Sequence, residues 1–136
     1  MSAELKDLAR RAYDIMGSGD LDELDELAHP DFVDHNPDPG QVPGIAGVKE
    51  AFRATRAAFP DLKAVPEAMY VDGDTVISRV RITGTHKGDF IGIPATGSSI
   101  DVEVIDIVRI VDGKAKERWG IFDAMTMMQQ LGQMPA

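Results

Sequence analysis

Ile100-Asp101-Val102-Glu103-Val104-Ile105-Asp106-Ile107-Val108-Arg109-Ile110-Val111-Asp112-Gly113-Lys114-Ala115-Lys116-Glu117-Arg118-Trp119-Gly120-Ile121-Phe122 decides the fold. Apolar side chains recur along it, with Val102, Val104, Val108 and Ile110 on one parity, and Asp112-Gly113 is the strongest turn signal in the chain. The stretch therefore reads as an antiparallel hairpin. A second pair precedes it: Val65, Glu67, Met69 and Val71 alternate, Asp72-Gly73 turns, and Val76, Ser78, Val80 and Ile82 alternate again. Pro66 cannot donate to a ladder, so its strand lies at an edge or carries a bulge. Further upstream the period becomes helical. Leu5, Leu8, Ala12, Ile15 and Met16 mark a first helix ended by Gly17-Ser18-Gly19. Leu21, Leu24 and Leu27 mark a short second one, N-capped by Asp20 and stopped by His29-Pro30. An extended piece from Phe32 to Asn36 and a Pro/Gly loop from Pro37 to Gly44 lead to a third helix on Val48, Ala51, Phe52, Thr55 and Phe59. A short helix from Ala124 to Leu131, N-capped by Asp123, closes the chain. Helices followed by a bent antiparallel sheet predict an α+β domain with one sheet face wrapped around the helices.

The chain has 136 residues, 43% hydrophobic and 27% charged, which suits one domain over residues 1–136 and is too short for two. Its apolar runs fall short of the roughly 20 residues that span a bilayer. The first 16 residues lack the apolar block of a secretory signal, so a cytoplasmic protein without membrane contact is expected. Zero cysteines exclude disulfides, thiolate catalysis and cysteine-ligated metals. Twenty-three acids against fourteen bases give a net charge of -9, which offers no footprint for nucleic acid. That charge suits a neutral or cationic small ligand, or serves solubility alone. His29, His35 and His86 lack metal-ligand spacing, so no metal is expected. Gly92-Ile93-Pro94-Ala95-Thr96-Gly97 sits between strands and does not open a helix, which argues against a phosphate cradle. Met125, Met127 and Met128 read as packing or a plastic lid.

In the row Val102, Val104, Asp106, Val108, Ile110, one carboxylate interrupts an apolar face. A buried carboxylate must find a partner, change its pKa or face a wetted cavity. Two registers are open. A three-residue hairpin with a Gly bulge pairs Val111 with Ala115 and sets Asp106 opposite Gly120, with Arg118 within diagonal reach on the same face. A two-residue turn sets Asp106 opposite Trp119 and makes the pocket more aromatic. The first register predicts spare volume beside Asp106, where Gly120 has no side chain. Asp106 is then the candidate catalytic group in an apolar cavity lined by Val104, Val108 and a face of the first helix that includes Met16. Asp34, His35 and Asn36 stand where an extended piece enters a Pro/Gly loop, a place where polar groups line clefts. His86 continues the inner row of its strand and is expected near the cavity mouth.

His29-Pro30-Asp31-Phe32, Gly47-Val48-Lys49-Glu50-Ala51-Phe52, Gly84-Thr85-His86-Lys87-Gly88, Gly92-Ile93-Pro94-Ala95-Thr96-Gly97, Arg109-Ile110-Val111-Asp112-Gly113-Lys114 and Gln130-Leu131-Gly132, in this order and spacing, resemble the SnoaL-like polyketide cyclases. The resemblance implies a nuclear transport factor 2-like α+β cone. It also implies an intramolecular aldol ring closure of a polyketide methyl ester without metal or cofactor, in which a carboxylate abstracts a carbon-bound proton. Aligned without gaps between the last two motifs, the family's catalytic aspartate falls on Gly120. Its pocket histidine falls on Asp106, its glutamine on Val104, and its asparagine after His-Pro-Asp on Asp34.

Three functions follow as expectations. The first is a cofactor-independent cyclase or isomerase of a small ketone or ester substrate, with Asp106 moved into the vacated role and Asp34, His35 or Asn36 orienting the carbonyl. The second is a hydrolase of the epoxide-hydrolase kind, since Asp106, Arg118 and Asp34 resemble the Asp-Arg-Asp chemistry run on the same fold. The third is a non-catalytic domain that binds a small hydrophobic molecule. Ile105 and Ile107, on the opposite parity from Asp106, make an apolar outer face and predict a homodimer.

Overall fold

The computed structural model describes residues 2–134. Helix α1 (Ser2–Gly17) is followed by a single 3-10 turn, Leu21–Glu23, whose N-cap Asp20 accepts a hydrogen bond from the Asp22 N–H. Then come α2 (Leu24–Leu27), β1 (Ala28–Asp34), α3 (Gly44–Ala58), β2 (Lys63–Asp72), β3 (Thr75–Thr85), β4 (Ser99–Val111), β5 (Lys114–Phe122) and α4 (Ala124–Gln130). The five strands form one sheet in the order β1-β5-β4-β3-β2, with β1 parallel to β5 and the other pairs antiparallel. This is the expected α+β arrangement. Asp123 caps α4 by accepting from the Thr126 N–H.

Three local features depart from or sharpen the reading of the sequence. Strand β1 begins at Ala28, earlier than the extended piece read from Phe32, because an edge strand can carry Pro30 near its start without losing a needed ladder bond. Strand β2 is both an edge strand and bulged: Pro66 pairs with Val80 while Ala68 pairs with Arg79, leaving Glu67 as the extra residue. At the β4–β5 turn, Asp112 and Gly113 have φ of 51° and 76°, the two-residue turn that matches strand twist, so Val111 pairs with Lys114. The three-residue turn is therefore corrected. A bulge at Lys116 then shifts the register, and beyond it Arg109 pairs with Glu117 and Asp106 with Gly120.

The concave face of the sheet holds the core. Val76, Val80, Ile82 and Val102 are buried there against Ala9 and Tyr13 of α1 and against Phe59 and Leu62. Ile15 of α1 joins Leu24 and Leu27 in a smaller cluster under α3. Arg56 of α3 fastens the end of α1, its guanidinium donating to the carbonyls of Met16 (2.9 Å), Gly19 (2.7 Å) and Ile15. A cation on the last carbonyls of a helix stabilises its C-terminus. Ile105, Ile107, Trp119 and Ile121 point the other way and are exposed on the convex face. Among the described residues no helix is long and apolar enough to cross a membrane.

Candidate functional site

Between the sheet and helices α1 and α3 lies a cavity of about 230 Å³. Its walls are aliphatic and aromatic, with Met16 from α1, Val48 and Phe52 from α3, and Val104 and Val108 from β4 among them. One wall is polar, and the register builds it. Parallel pairing of β1 with β5 sets Asp34 beside Arg118, and antiparallel pairing of β5 with β4 sets Gly120 across from Asp106. Side chains two apart on a strand share a face, so Arg118 and Gly120 both look inward with Asp106.

Arg118 bridges the two carboxylates. Its Nε (3.1 Å) and Nη2 (2.8 Å) donate to Asp106 Oδ1, and its Nη1 donates to Asp34 Oδ1 (3.0 Å) and Oδ2 (3.1 Å). Burial pulls the Arg118 pKa down, but the charges and hydrogen bonds of Asp106 and Asp34 outweigh it and hold the guanidinium above its ordinary value. Asp34 is braced further by the Asn36 N–H on Oδ1 (3.1 Å) and by Gln41 Nε2 on Oδ2 (3.1 Å). Asp106 Oδ2 accepts from the Tyr13 hydroxyl at 2.7 Å. Burial first, then the Asp106 charge and hydrogen bond, push the Tyr13 pKa well above its ordinary value, so the phenol stays protonated. Ser78, paired with Asp106 across β3 and β4, opposes this rise in part.

Gly120 corrects one expectation. No spare volume lies beside it: a Cβ built there would collide with Arg118 Nη2 and Asp106 Oδ1, and would stand 2.6 Å from Arg118 Cζ. The Asp106–Arg118 pair fills the space that a side chain at position 120 would need.

Asp106, Asp34, Arg118, Met16 and Val104 line the cavity together. Asn36 supports its edge, with Oδ1 accepting from the Gly120 N–H at 3.0 Å. Three expected site residues lie elsewhere. Trp119, one residue off the inward parity, pairs with Ile107 on the convex face, and His35 stacks on it at 4.6 Å with an 8° angle between rings. His35 Nε2 lies 3.1 Å from Glu117 Oε1. His86 is fully buried and does not line the cavity; its ring packs on Phe59 at 5.4 Å and its Nδ1 accepts from the Thr96 N–H at 3.3 Å. The loop from residue 87 to 98 folds over it, because the Gly97 N–H and the Ser98 carbonyl bond the His86 backbone. Among the described residues no group of three or more His, Asp or Glu is placed to hold a metal ion.

Tyr13, Ser78 and Gln41 are absent from the sequence reading of the site. Tyr13 carries a signal in the chain, since Ala9, Tyr13 and Met16 follow the i, i+4, i+7 spacing of one helix face. Gln41 has none, being a loop residue placed by its own bonds to Asp38.

The family model of the SnoaL-like polyketide cyclases matches residues 6–131. The chain belongs to that family. This SnoaL-like domain is 30% identical over 139 residues to the aklanonic acid methyl ester cyclase DnrD of Streptomyces peucetius, covering 98% of this chain and 93% of that one. It is 29% identical over 119 residues to the nogalonic acid methyl ester cyclase of Streptomyces nogalater, covering 85% and 87%. The structure of TsrD from Streptomyces laurentii superposes with a TM-score of 0.89 at 30% identity, covering 97% of each chain. The nuclear transport factor 2-like cone of the SnoaL-like cyclases is thus this chain's fold.

Proposed function

We propose that this protein closes a ring in a ketone-bearing polyketide ester by a cofactor-independent intramolecular aldol addition, with Asp106 as the proton-transferring group. One observation carries the choice of Asp106. Both oxygens of Asp34 and Oδ1 of Asp106 accept two hydrogen bonds each, whereas Asp106 Oδ2 accepts one, from Tyr13. That oxygen keeps a lone pair for a proton, and it belongs to a carboxylate on the cavity wall.

A carbon acid held against Oδ2 gives its proton to Asp106, and the C–H electrons pass into an enolate. As the carboxyl becomes neutral its hold on the Tyr13 O–H weakens, and that donor turns to the enolate oxygen. The enolate carbon then attacks the second carbonyl carbon and forms the ring bond, and Asp106 returns its proton to the new alkoxide. No atom is gained or lost. Arg118 stays protonated and fixes both carboxylates, and the apolar walls exclude water that would quench the enolate. The two methyl ester cyclases among the relatives support the substrate class.

The test is incubation of the purified protein with aklanonic and nogalonic acid methyl esters in deuterium oxide. Ring closure is expected, together with deuterium at the reacting carbon of ester whose enolate is reprotonated from solvent before closure, and the loss of both in Asp106→Asn. Absence of both closure and exchange for the native protein sinks the reading.

The Arg118 bridge favours a second reading, epoxide opening by water, because it sets two carboxylates on either side of one guanidinium as an acid and a base would need. Labelled oxygen from water in a diol product separates the two. Ligand binding without turnover of any ester or epoxide supports the non-catalytic alternative. We also propose that two copies pair through the convex face, where Ile105, Ile107, Trp119 and Ile121 expose apolar surface that a partner would cover.

A further inference from the structure

The polar wall of the cavity does not balance its charge. Asp34 and Asp106 are both nearly enclosed, their side chains 6% and 10% exposed, and they share one guanidinium. A third acid, Asp38, joins the lining, where Arg118 is the one cationic side chain among the described residues. With both inner carboxylates ionised, the bridge carries one negative charge more than Arg118 offsets. An uncompensated carboxylate in apolar surroundings is costly, and a positive charge placed beside it recovers much of that cost. Independently of the charge count, Asp106 Oδ2 has one hydrogen bond where its neighbours have two, on a residue 7% exposed that faces the cavity.

We infer that the cavity binds a second class of ligand, hydrophobic amines in their protonated form, with the ammonium on Asp106 Oδ2 and the apolar body between α1 and α3. An ammonium donates three hydrogen bonds and fits an oxygen whose missing partner is a donor. Among the described residues a carboxylate or phosphate finds no free cation at that wall, because the Arg118 nitrogens are already bonded to Asp34 and Asp106. Seated there, an amine occupies the oxygen that would accept the substrate proton, so it competes with the ketone ester. The inference rests on the cavity being the substrate site, but not on turnover.

The test uses phenylbutylamine, phenylbutanol and phenylbutanoate, which share an apolar body and differ in charge, titrated by calorimetry into the native protein at low salt. The amine is expected to bind about tenfold or more tightly than the alcohol, the scale of a hydrogen bond to a charged group, and the acid more weakly than either. In Asp106→Asn the amine preference falls to that of the alcohol. A difluorinated phenylbutylamine, uncharged about two pH units below the ordinary alkylammonium pKa of about 10.4, provides a check in the native protein should that variant fail to fold. It is expected to bind like the alcohol under those conditions. Equal binding of acid and amine, equal binding of the charged and fluorinated amines, or an undiminished preference in a folded Asp106→Asn overturns the inference. Ring closure measured on the esters is untouched by any of these results, so the two proposals fail separately.

Discussion

Gly120 lies directly across the β4–β5 ladder from Asp106, and the place of its absent side chain is taken by the Arg118 guanidinium and the Asp106 carboxylate. The glycine and the bridge are therefore one feature: a side chain at 120 and the observed Arg118 conformation exclude each other.

Gly120→Ala is expected to destabilise the fold by about 1–3 kcal/mol, the usual scale of overpacking, because the methyl meets the head groups of a bridged pair held from both sides. Denaturant unfolding measures it. In an Arg118→Ala background the same substitution should cost much less, since the clash partner is gone, so the double-mutant cycle is strongly non-additive. Equal costs in the two backgrounds contradict the exclusion.

Tyr13→Phe removes the one hydrogen bond that the described residues give Asp106 Oδ2 while keeping the ring, and is expected to cost about 1–3 kcal/mol, as for a buried acceptor left unpaired. The alkaline limb changes too. The folded pKa of Tyr13 is raised, chiefly by burial and then by Asp106, so its stabilising share is present below the unfolded tyrosine value of about 10 and is lost as pH rises toward the folded value. A tyrosinate absorbance titration should show a late-ionising component that Tyr13→Phe abolishes. Ionisation of every tyrosine before any unfolding refutes the assignment.

The architecture was legible because period is a local property: the row on β4, the turn at Asp112-Gly113 and the apolar stripe of α1 each name an element without knowledge of its neighbours. The Asp106–Gly120 pairing was reached in the sequence through a three-residue turn, and the molecule reaches it through a two-residue turn and a bulge at Lys116. A bulge on one strand has no strong signature in composition, so two routes to one register look alike from the sequence. Asp34 was named a site residue from its place at the loop entry, but its pairing with Arg118 depends on the parallel β1–β5 contact, which joins residues 84 positions apart. Trp119 was drawn into the site by an open register, where a slip of one residue reverses its face, and His35 by standing beside Asp34 at the loop entry. His86 followed the parity of β3 correctly to the inner side, but the 87–98 loop buries it.

The convex face predicts an association state. Ile105 pairs with Ile121 and Ile107 with Trp119, so these four form adjacent rows on one surface. Ile105→Lys with Ile121→Lys is expected to convert a dimer to a monomer by light scattering, without loss of the cavity's ligand affinity. A monomeric native protein at micromolar concentration removes the proposal.

Asp106→Asn and Asp34→Asn together decide which carboxylate moves the proton. Both substitutions keep shape and leave Arg118 one ionised partner, so comparable stability losses are expected and folding alone does not separate them. Their chemistry differs, because Asp34 has both oxygens doubly bonded and Asp106 has one oxygen with capacity to spare. Asp106→Asn should therefore lower the rate of ester ring closure by about 10²–10⁴-fold, the usual contribution of a general base, and suppress deuterium exchange at the reacting carbon equally. Asp34→Asn acts through Arg118, which would keep Asp106 in place from one side only, so a loss nearer tenfold with exchange retained fits a positioning role. If the order is reversed, with exchange surviving in Asp106→Asn and vanishing in Asp34→Asn, the base is Asp34, and the free lone pair on Asp106 Oδ2 serves ligand binding instead.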